Sequence, residues 1–361
     1  MHTIISVVGA RPNFMKAAPV ALAFNAADGV EHILVHTGQH YDANMSDVFF
    51  EDLGLGKPDL YLGVGSGSHA EQTARVMTGF ESVCLERRPS MVIVYGDVNS
   101  TLAASLVAAK LHIPVAHVEA GLRSFDRRMP EEINRIVADV ISSLYFVTEE
   151  SGRRNLLTEG VPADRVHFVG NTMIDSLASL CRRMGPAVGV DNYLVLTLHR
   201  PSNVDDPEQL VDLLKGIEEG GDSRIVFPVH PRTEAIMRGA RVIDRLDAAR
   251  WDIRPPAGYR DFIELVRSAH AVITDSGGIQ EETTWLGVPC LTLRETTERP
   301  STIELGTNVL VGIDPSAVRR AVADIPVVSV RAAMPQRPPL WDGHAAGRIV
   351  QHILQFLMQR V

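Results

Sequence analysis

The stretch that most limits what this chain can fold into covers residues 91–141. The apolar run Met91-Val92-Ile93-Val94 ends in Tyr95-Gly96-Asp97, and a helix-like segment follows to Leu111. A second apolar run, Val115-Ala116-His117-Val118, ends in Glu119-Ala120-Gly121. Short apolar runs on either side of a helical segment predict a parallel βαβ unit. In such sheets ligands bind beyond the carboxyl ends of the strands. Asp97 and Glu119 stand at two such ends, and Pro130 suits the first turn of a helix that carries Glu131 toward the same edge. Three carboxylates aimed at one cleft predict a proton-handling site.

The same alternation fills the chain. Strands are expected near 4–8, 33–36, 144–147 and 166–169, with helices near 15–25 and 70–87 between them. The loop Gly63-Val64-Gly65-Ser66-Gly67-Ser68 matches no phosphate-binding pattern and reads as a loop ending in a capping box, Ser68 with Glu71. A second series of strands is expected near 193–198, 225–229, 251–254, 271–274, 290–293 and 309–311. Between the series lies Gly185-Pro186-Ala187-Val188-Gly189-Val190-Asp191-Asn192, the best linker. A length of 361 residues is long for one core. The expected architecture is therefore α/β, with two doubly wound Rossmann-like domains, 1–184 and 193–344, and a ligand cleft between them. An amphipathic helix near 345–361 is expected to pack back on the first domain.

Charge and cysteine content narrow the partners. A net charge of −9 argues against nucleic acid or an anionic membrane. An anionic substrate then needs a local cluster of cations and N–H groups. Cys84, Cys181 and Cys290 are far apart and show no metal spacing, which predicts thiols in a reducing compartment. The apolar start of the chain lacks a basic n-region and reads as the first strand, and no run reaches membrane-spanning length. A cytoplasmic protein is expected.

The second series carries its own chemistry. Ala271-Val272-Ile273-Thr274-Asp275-Ser276-Gly277-Gly278-Ile279-Gln280-Glu281-Glu282 reads as a strand, a tight turn and a helix start. Glycines there let a ligand approach the backbone, and the N–H groups of a first helical turn suit a diphosphate. Glu282, one turn on, is placed to take two ribose hydroxyls; a plain βα turn would look similar. Arg294 and Arg299 add cations at the same sheet edge. Two strand ends carry histidine before or near arginine, His199-Arg200 and His230-Pro231-Arg232, and histidine is the natural group for proton work at neutral pH. Arg11 and Lys16 lie beyond the first strand. No metal site is expected, since His36, His40 and Asp42 lack a ligand spacing, and no G-x-S-x-G elbow supports a serine nucleophile.

With these motifs the chain resembles the non-hydrolysing UDP-N-acetylglucosamine 2-epimerases. The resemblance rests on Gly9-Ala10-Arg11-Pro12, Thr37-Gly38-Gln39-His40, Gly96-Asp97 and His117-Val118-Glu119-Ala120-Gly121-Leu122-Arg123. It continues in Pro130-Glu131-Glu132-Ile133-Asn134-Arg135, Gly170-Asn171-Thr172, His199-Arg200, residues 275–282 and Thr297-Glu298-Arg299-Pro300, and covers nearly the whole chain. It implies a fold like that of GT-B glycosyltransferases, with the active site in the interdomain cleft. It makes Asp97, Glu119 and Glu131 the catalytic carboxylates and His199 a support for the UDP leaving group. Arg11 and Lys16 would contact the substrate. Ser276, Gly277 and Gly278 would hold the diphosphate, Glu282 the ribose and Arg299 the phosphates, while Phe262 would meet uracil through its backbone.

The reaction so implied is reversible epimerisation at C2 of UDP-N-acetylglucosamine to UDP-N-acetylmannosamine. It proceeds by elimination of UDP to 2-acetamidoglucal and re-addition, with no cofactor or metal. Carboxylates serve as base and acid if burial and mutual repulsion raise one pKa. The family suggests a homodimer. Where many relatives read His-Arg-Arg-Glu-Asn this chain has His199-Arg200-Pro201-Ser202-Asn203, and Tyr41-Asp42 stands where many carry Arg and Gln. Those departures leave open a modified sugar of the 2,3-diacetamido uronic acid type. A glycosyltransferase of the same architecture is the rival from another enzyme class.

Overall fold

The structure is a computed structural model that describes residues 1–38, 54–187, 189–325 and 337–359. The chain forms two compact units, Met1–Arg183 with Pro339–Val361, and Met184–Pro338.

The first unit runs β1 (His2–Val8), α1 (Arg11–Asn25), β2 (Val30–His36), β3 (Leu60–Tyr61), α2 (His69–Arg87), β4 (Met91–Tyr95) and α3 (Asn99–Lys110). It continues with β5 (Val115–Val118), α4 (Pro130–Ile141), β6 (Leu144–Val147), α5 (Glu150–Thr158), β7 (Val166–Phe168) and α6 (Thr172–Met184). All seven strands pair in parallel in the order β3-β2-β1-β4-β5-β6-β7. β4 is buried at every position, as a central parallel strand covered on both faces must be. β1 and β4 are neighbours whose crossovers leave in opposite directions along the sheet, so the switch point lies between their carboxyl ends.

Two local features follow directly from sequence. Ser68 accepts from the Glu71 N–H, and the Glu71 side chain answers the Ser68 N–H, which makes the expected capping box at the head of α2. α1 begins at Arg11, earlier than its apolar spacing suggests, because Pro12 sits in the first turn where no N–H is needed. The chain returns to the first unit ahead of its C-terminal helix (Ala345–Met358). There the Trp341 indole N–H reaches the Thr148 carbonyl at 3.0 Å. Asp175 of α6 then takes the first N–H groups of that helix, Ala345 at 3.1 Å and Ala346 at 2.7 Å.

The second unit runs β8 (Tyr193–Thr197), α7 (Pro201–Val204), α8 (Pro207–Glu219), β9 (Arg224–Pro228), α9 (Pro231–Gly239), β10 (Trp251–Arg254) and α10 (Tyr259–Ser268). It ends with β11 (Ala271–Thr274), α11 (Gly277–Leu286), β12 (Cys290–Thr292), α12 (Ser301–Glu304), β13 (Asn308–Leu310) and α13 (Pro315–Ala323). Its parallel sheet has the order β10-β9-β8-β11-β12-β13, which puts a second switch point between β8 and β11. Leu196, Leu214, Ile225, Phe227 and Ile273 lie at the centre of its core. Among the described residues no helix is long and apolar enough to cross a membrane, and no group of His, Cys, Asp and Glu is arranged to hold a metal ion.

Candidate functional site

The first unit gathers charged groups at its switch point. Asn13 of α1 accepts from the N–H groups of Gly9 and Ala10, both at 3.2 Å, and donates to the Tyr95 carbonyl at 2.8 Å. This laces the β1 loop to the β4 loop. Lys16, one turn further along α1, is buried with its Nζ 2.8 Å from each carboxylate oxygen of Glu119. Gly96 gives this pair its room: a Cβ there would stand 2.7 Å from Lys16 Nζ, and the residue has φ +60°. Glu119 itself has φ +71°, a left-handed conformation that costs a non-glycine residue about 1–3 kcal/mol. β6 holds it there, since the Phe146 carbonyl accepts from Glu119 N–H at 3.0 Å and Ala120 N–H at 3.1 Å.

Asp97 is held from α4. Arg135 donates to Asp97 Oδ2 at 2.5 Å and to Glu132 Oε2 at 2.8 Å, and Asn134 donates to the Asp97 carbonyl at 2.8 Å. Glu132 also accepts from the N–H groups of Ser124 at 2.9 Å and Phe125 at 3.0 Å, bracing the loop after β5. Glu131 is exposed and, among the described residues, makes no hydrogen bond or ion pair. The ion pair of Asp97 is with Arg135 and that of Glu119 is with Lys16. Arg11 opens α1, but its side chain lies outside the described residues, as do Gln39, His40, Tyr41 and Asp42.

The second unit carries a different set. Asp275, fully buried at the end of β11, accepts from the N–H of His199 at 3.0 Å, the N–H of Arg200 at 2.9 Å and Asn203 Nδ2 at 3.1 Å. Its Oδ1 lies 2.9 Å from His199 Nδ1. Burial is the largest influence on Asp275 and opposes charge, yet the His199 bond, the His199 charge and the two backbone N–H groups together hold its pKa below the usual range. An Asp at Nδ1 orients the half-exposed ring and turns Nε2 outward. His230, also singled out in the sequence, caps α9 by accepting from the Arg232 N–H at 3.3 Å.

Ser276 is the N-cap of α11, whose first turn holds Gly277 and Gly278 and no acidic residue. A Cβ on Gly277 would stand 2.8 Å from Arg299 Nη1 and 3.0 Å from Glu298 Oε1, so a side chain there would crowd both groups over the helix start. Arg299 is buried between Glu281 at 2.8 Å and Glu298 at 2.5 Å, and Arg294 meets Glu298 at 2.8 Å. Glu282, buried on α11, accepts from the Tyr259 hydroxyl at 3.1 Å. The Phe262 N–H is engaged within α10 with the Gly258 carbonyl at 2.9 Å, and its ring packs beside Val195, Val266 and Val272.

The structure thus brings Lys16 to Glu119, His199 to Asp275, and Arg299 to the glycine-opened helix. Sequence reasoning passed over Asp275, Arg135 and Asn134 as site residues. The signal for Arg135 was its place three residues after Glu132 on one helix face. Asp275 offered only its position at the end of an apolar strand.

Two doubly wound parallel sheets make this an α/β protein of two Rossmann-like domains, GT-B-like in build. A family model described as UDP-N-acetylglucosamine 2-epimerase matches residues 22–354. The chain is 42% identical to the UDP-N-acetylglucosamine 2-epimerase of Methanocaldococcus jannaschii over 96% of its own length and 97% of that protein's. It is 40% identical to the UDP-2,3-diacetamido-2,3-dideoxy-D-glucuronate 2-epimerase of Pseudomonas aeruginosa, covering 97% of this chain and 99% of that one. The crystal structure of the M. jannaschii enzyme in complex with UDP-GlcNAc and UDP superposes with a TM-score of 0.88 at 40% identity, over 98% of this chain and 99% of that one. The chain belongs to the UDP-N-acetylglucosamine 2-epimerase family and is an isomerase.

Proposed function

We propose that this enzyme interconverts UDP-N-acetylglucosamine and UDP-N-acetylmannosamine. One base removes the proton from C2 as the bond from C1 to the UDP oxygen breaks, which gives 2-acetamidoglucal and UDP. Return of a proton to the opposite face of C2, with re-addition of UDP at C1, completes the epimerisation. Asp97, Glu119 and Glu131 handle the protons, and Lys16 and Arg11 hold the substrate beside them. His199, oriented by Asp275, stabilises the departing UDP. Ser276, Gly277 and Gly278 hold its diphosphate, Arg299 adds charge to the phosphates, Glu282 takes the ribose and the Phe262 backbone meets uracil. The observation that carries it is the pairing of the left-handed Glu119 with the buried Lys16, a strained and preorganised carboxylate at a switch point.

Homology of nearly equal strength to the diacetamido-glucuronate enzyme favours a second reading, in which that modified UDP-sugar is the substrate. Offering each sugar nucleotide separately and following its C2 epimer by NMR decides between them. Turnover of UDP-N-acetylglucosamine alone supports the first reading, and turnover of the uronic acid alone overturns it. We place the enzyme in the cytoplasm, consistent with Cys84 and Cys290 as buried thiols whose pKa burial raises to about 12. We read it as a homodimer, because Ile133 (42% exposed) and Val140 (73% exposed) leave an apolar stripe along α4.

A further inference from the structure

Beneath the β4–β5 edge lies a chain of buried polar groups that the assignments above do not use. His117, fully buried in β5, sets Nδ1 2.7 Å from Asp139 Oδ1 and Nε2 2.8 Å from the Gly96 carbonyl oxygen. The other oxygen of Asp139 accepts from the Gly121 N–H at 3.1 Å and lies 2.7 Å from Arg123 Nη1. Arg123 in turn grips Glu159 through two bonds of 2.8 and 2.6 Å. A peptide carbonyl can only accept. Asp139 is likewise an acceptor, since its Oδ2 takes the Gly121 N–H and pairs with the Arg123 guanidinium. A neutral imidazole has one N–H and would leave one of these two contacts without a hydrogen; the imidazolium satisfies both. The positive charges of His117 and Arg123 then face the buried carboxylate of Asp139 and, at the surface end, the 40% exposed Glu159.

The consequence reaches the site through Gly96. This residue links β4 to Asp97, and β5 holds both of its peptide groups: its N–H donates to the Val118 carbonyl at 2.9 Å, and its carbonyl faces His117. The same strand delivers Glu119 two residues beyond His117. We propose that His117 is a positioning residue, a buried imidazolium braced by Asp139 and Arg123 that fixes the Gly96 carbonyl and thereby the separation of the Asp97 and Glu119 carboxylates. The proposal rests on the reading that Asp97 handles a proton. A misplacement of about 1 Å in such a pair costs on the order of 100-fold in rate.

Nitrogen-15 NMR of histidine-labelled wild-type enzyme at neutral pH tests the ring directly, with the His117 signals assigned by their loss in His117→Gln. Hydrogens on both ring nitrogens are expected, and a single-hydrogen tautomer overturns the proposal. The kinetic arm compares His117→Asn, whose amide reaches toward Asp139 only, with His117→Gln, whose amide reaches toward the Gly96 carbonyl. The Asn variant is expected to lose at least roughly tenfold in kcat with KM for UDP-N-acetylglucosamine little changed, and Gln to recover much of that loss. Wild-type kcat in the Asn variant, equal losses in both, or a KM rising in step would overturn it. Asp97→Asn separates the two failures: wild-type turnover there sinks the role of Asp97 while the ring signals still report on His117.

Discussion

Asp275 fixes how His199 is presented, so the pair behaves as a unit. Asp275→Asn keeps the size of the side chain but exchanges a charged acceptor for an amide that cannot satisfy the same set of donors. We expect kcat to fall by about 10- to 100-fold while the melting temperature drops, because the His199 and Arg200 N–H groups lose their shared acceptor. Steady-state kinetics beside thermal melts check both halves. In the proposed mechanism Asp97→Asn and Glu119→Gln remove proton transfer, and each is expected to lower kcat on the order of 10²–10⁴-fold. Gly277→Ala tests the opposite half of the chemistry. Its Cβ would press on Arg299 from 2.8 Å, and UDP affinity measured by calorimetry should weaken by roughly tenfold or more, about 1.4 kcal/mol. Unchanged UDP binding in that variant would remove the α11 terminus from the site.

At the scale of elements, α4 serves two faces. Its inner face gives Glu132, Asn134 and Arg135 to the loops around Asp97. Its outer face shows Ile133 and Val140, with Ile136 and Val137 half-buried between them. On the homodimer proposed above, light scattering is expected to give a dimer for the wild type and a monomer for Val140→Glu. The order of elements was legible because parallel strands buried on both faces read as unbroken apolar runs, β4 and β11 most plainly. The glycines of α11 and the Pro–Glu–Glu opening of α4 were legible for the same local reason. The partners of each charge were not: Lys16 and Glu119 are far apart in sequence, and nothing in either motif says that a cation rather than a second carboxylate faces Glu119. Nor does sequence spacing reveal that Glu132, and not Glu131, is the tethered member of the pair.

For the molecule as a whole, acid should loosen the first unit. Burial pushes the pKa of His32 and of His167 down to about 4, the stacked His352 adding to the second, and burial also lowers His36. Each ring binds a proton more readily when unfolded, with an ordinary value near 6.5, so its stabilisation is present above that pH and is lost as pH falls toward 4. Asp175 works against this trend, since burial raises it to about 6 and its contribution fades as pH rises through that value. The histidines outnumber it. Melting temperature is therefore expected to fall on acidification from pH 6.5, and His167→Gln should flatten the slope. The elimination itself has its own signature. Enzyme incubated with UDP-N-acetylglucosamine in deuterated water and followed by NMR should place deuterium at C2 of both epimers, with UDP-N-acetylmannosamine accumulating and no acceptor required. Product formed with its C2 hydrogen undiluted by solvent would contradict a proton passed between carboxylates on opposite faces of the sugar.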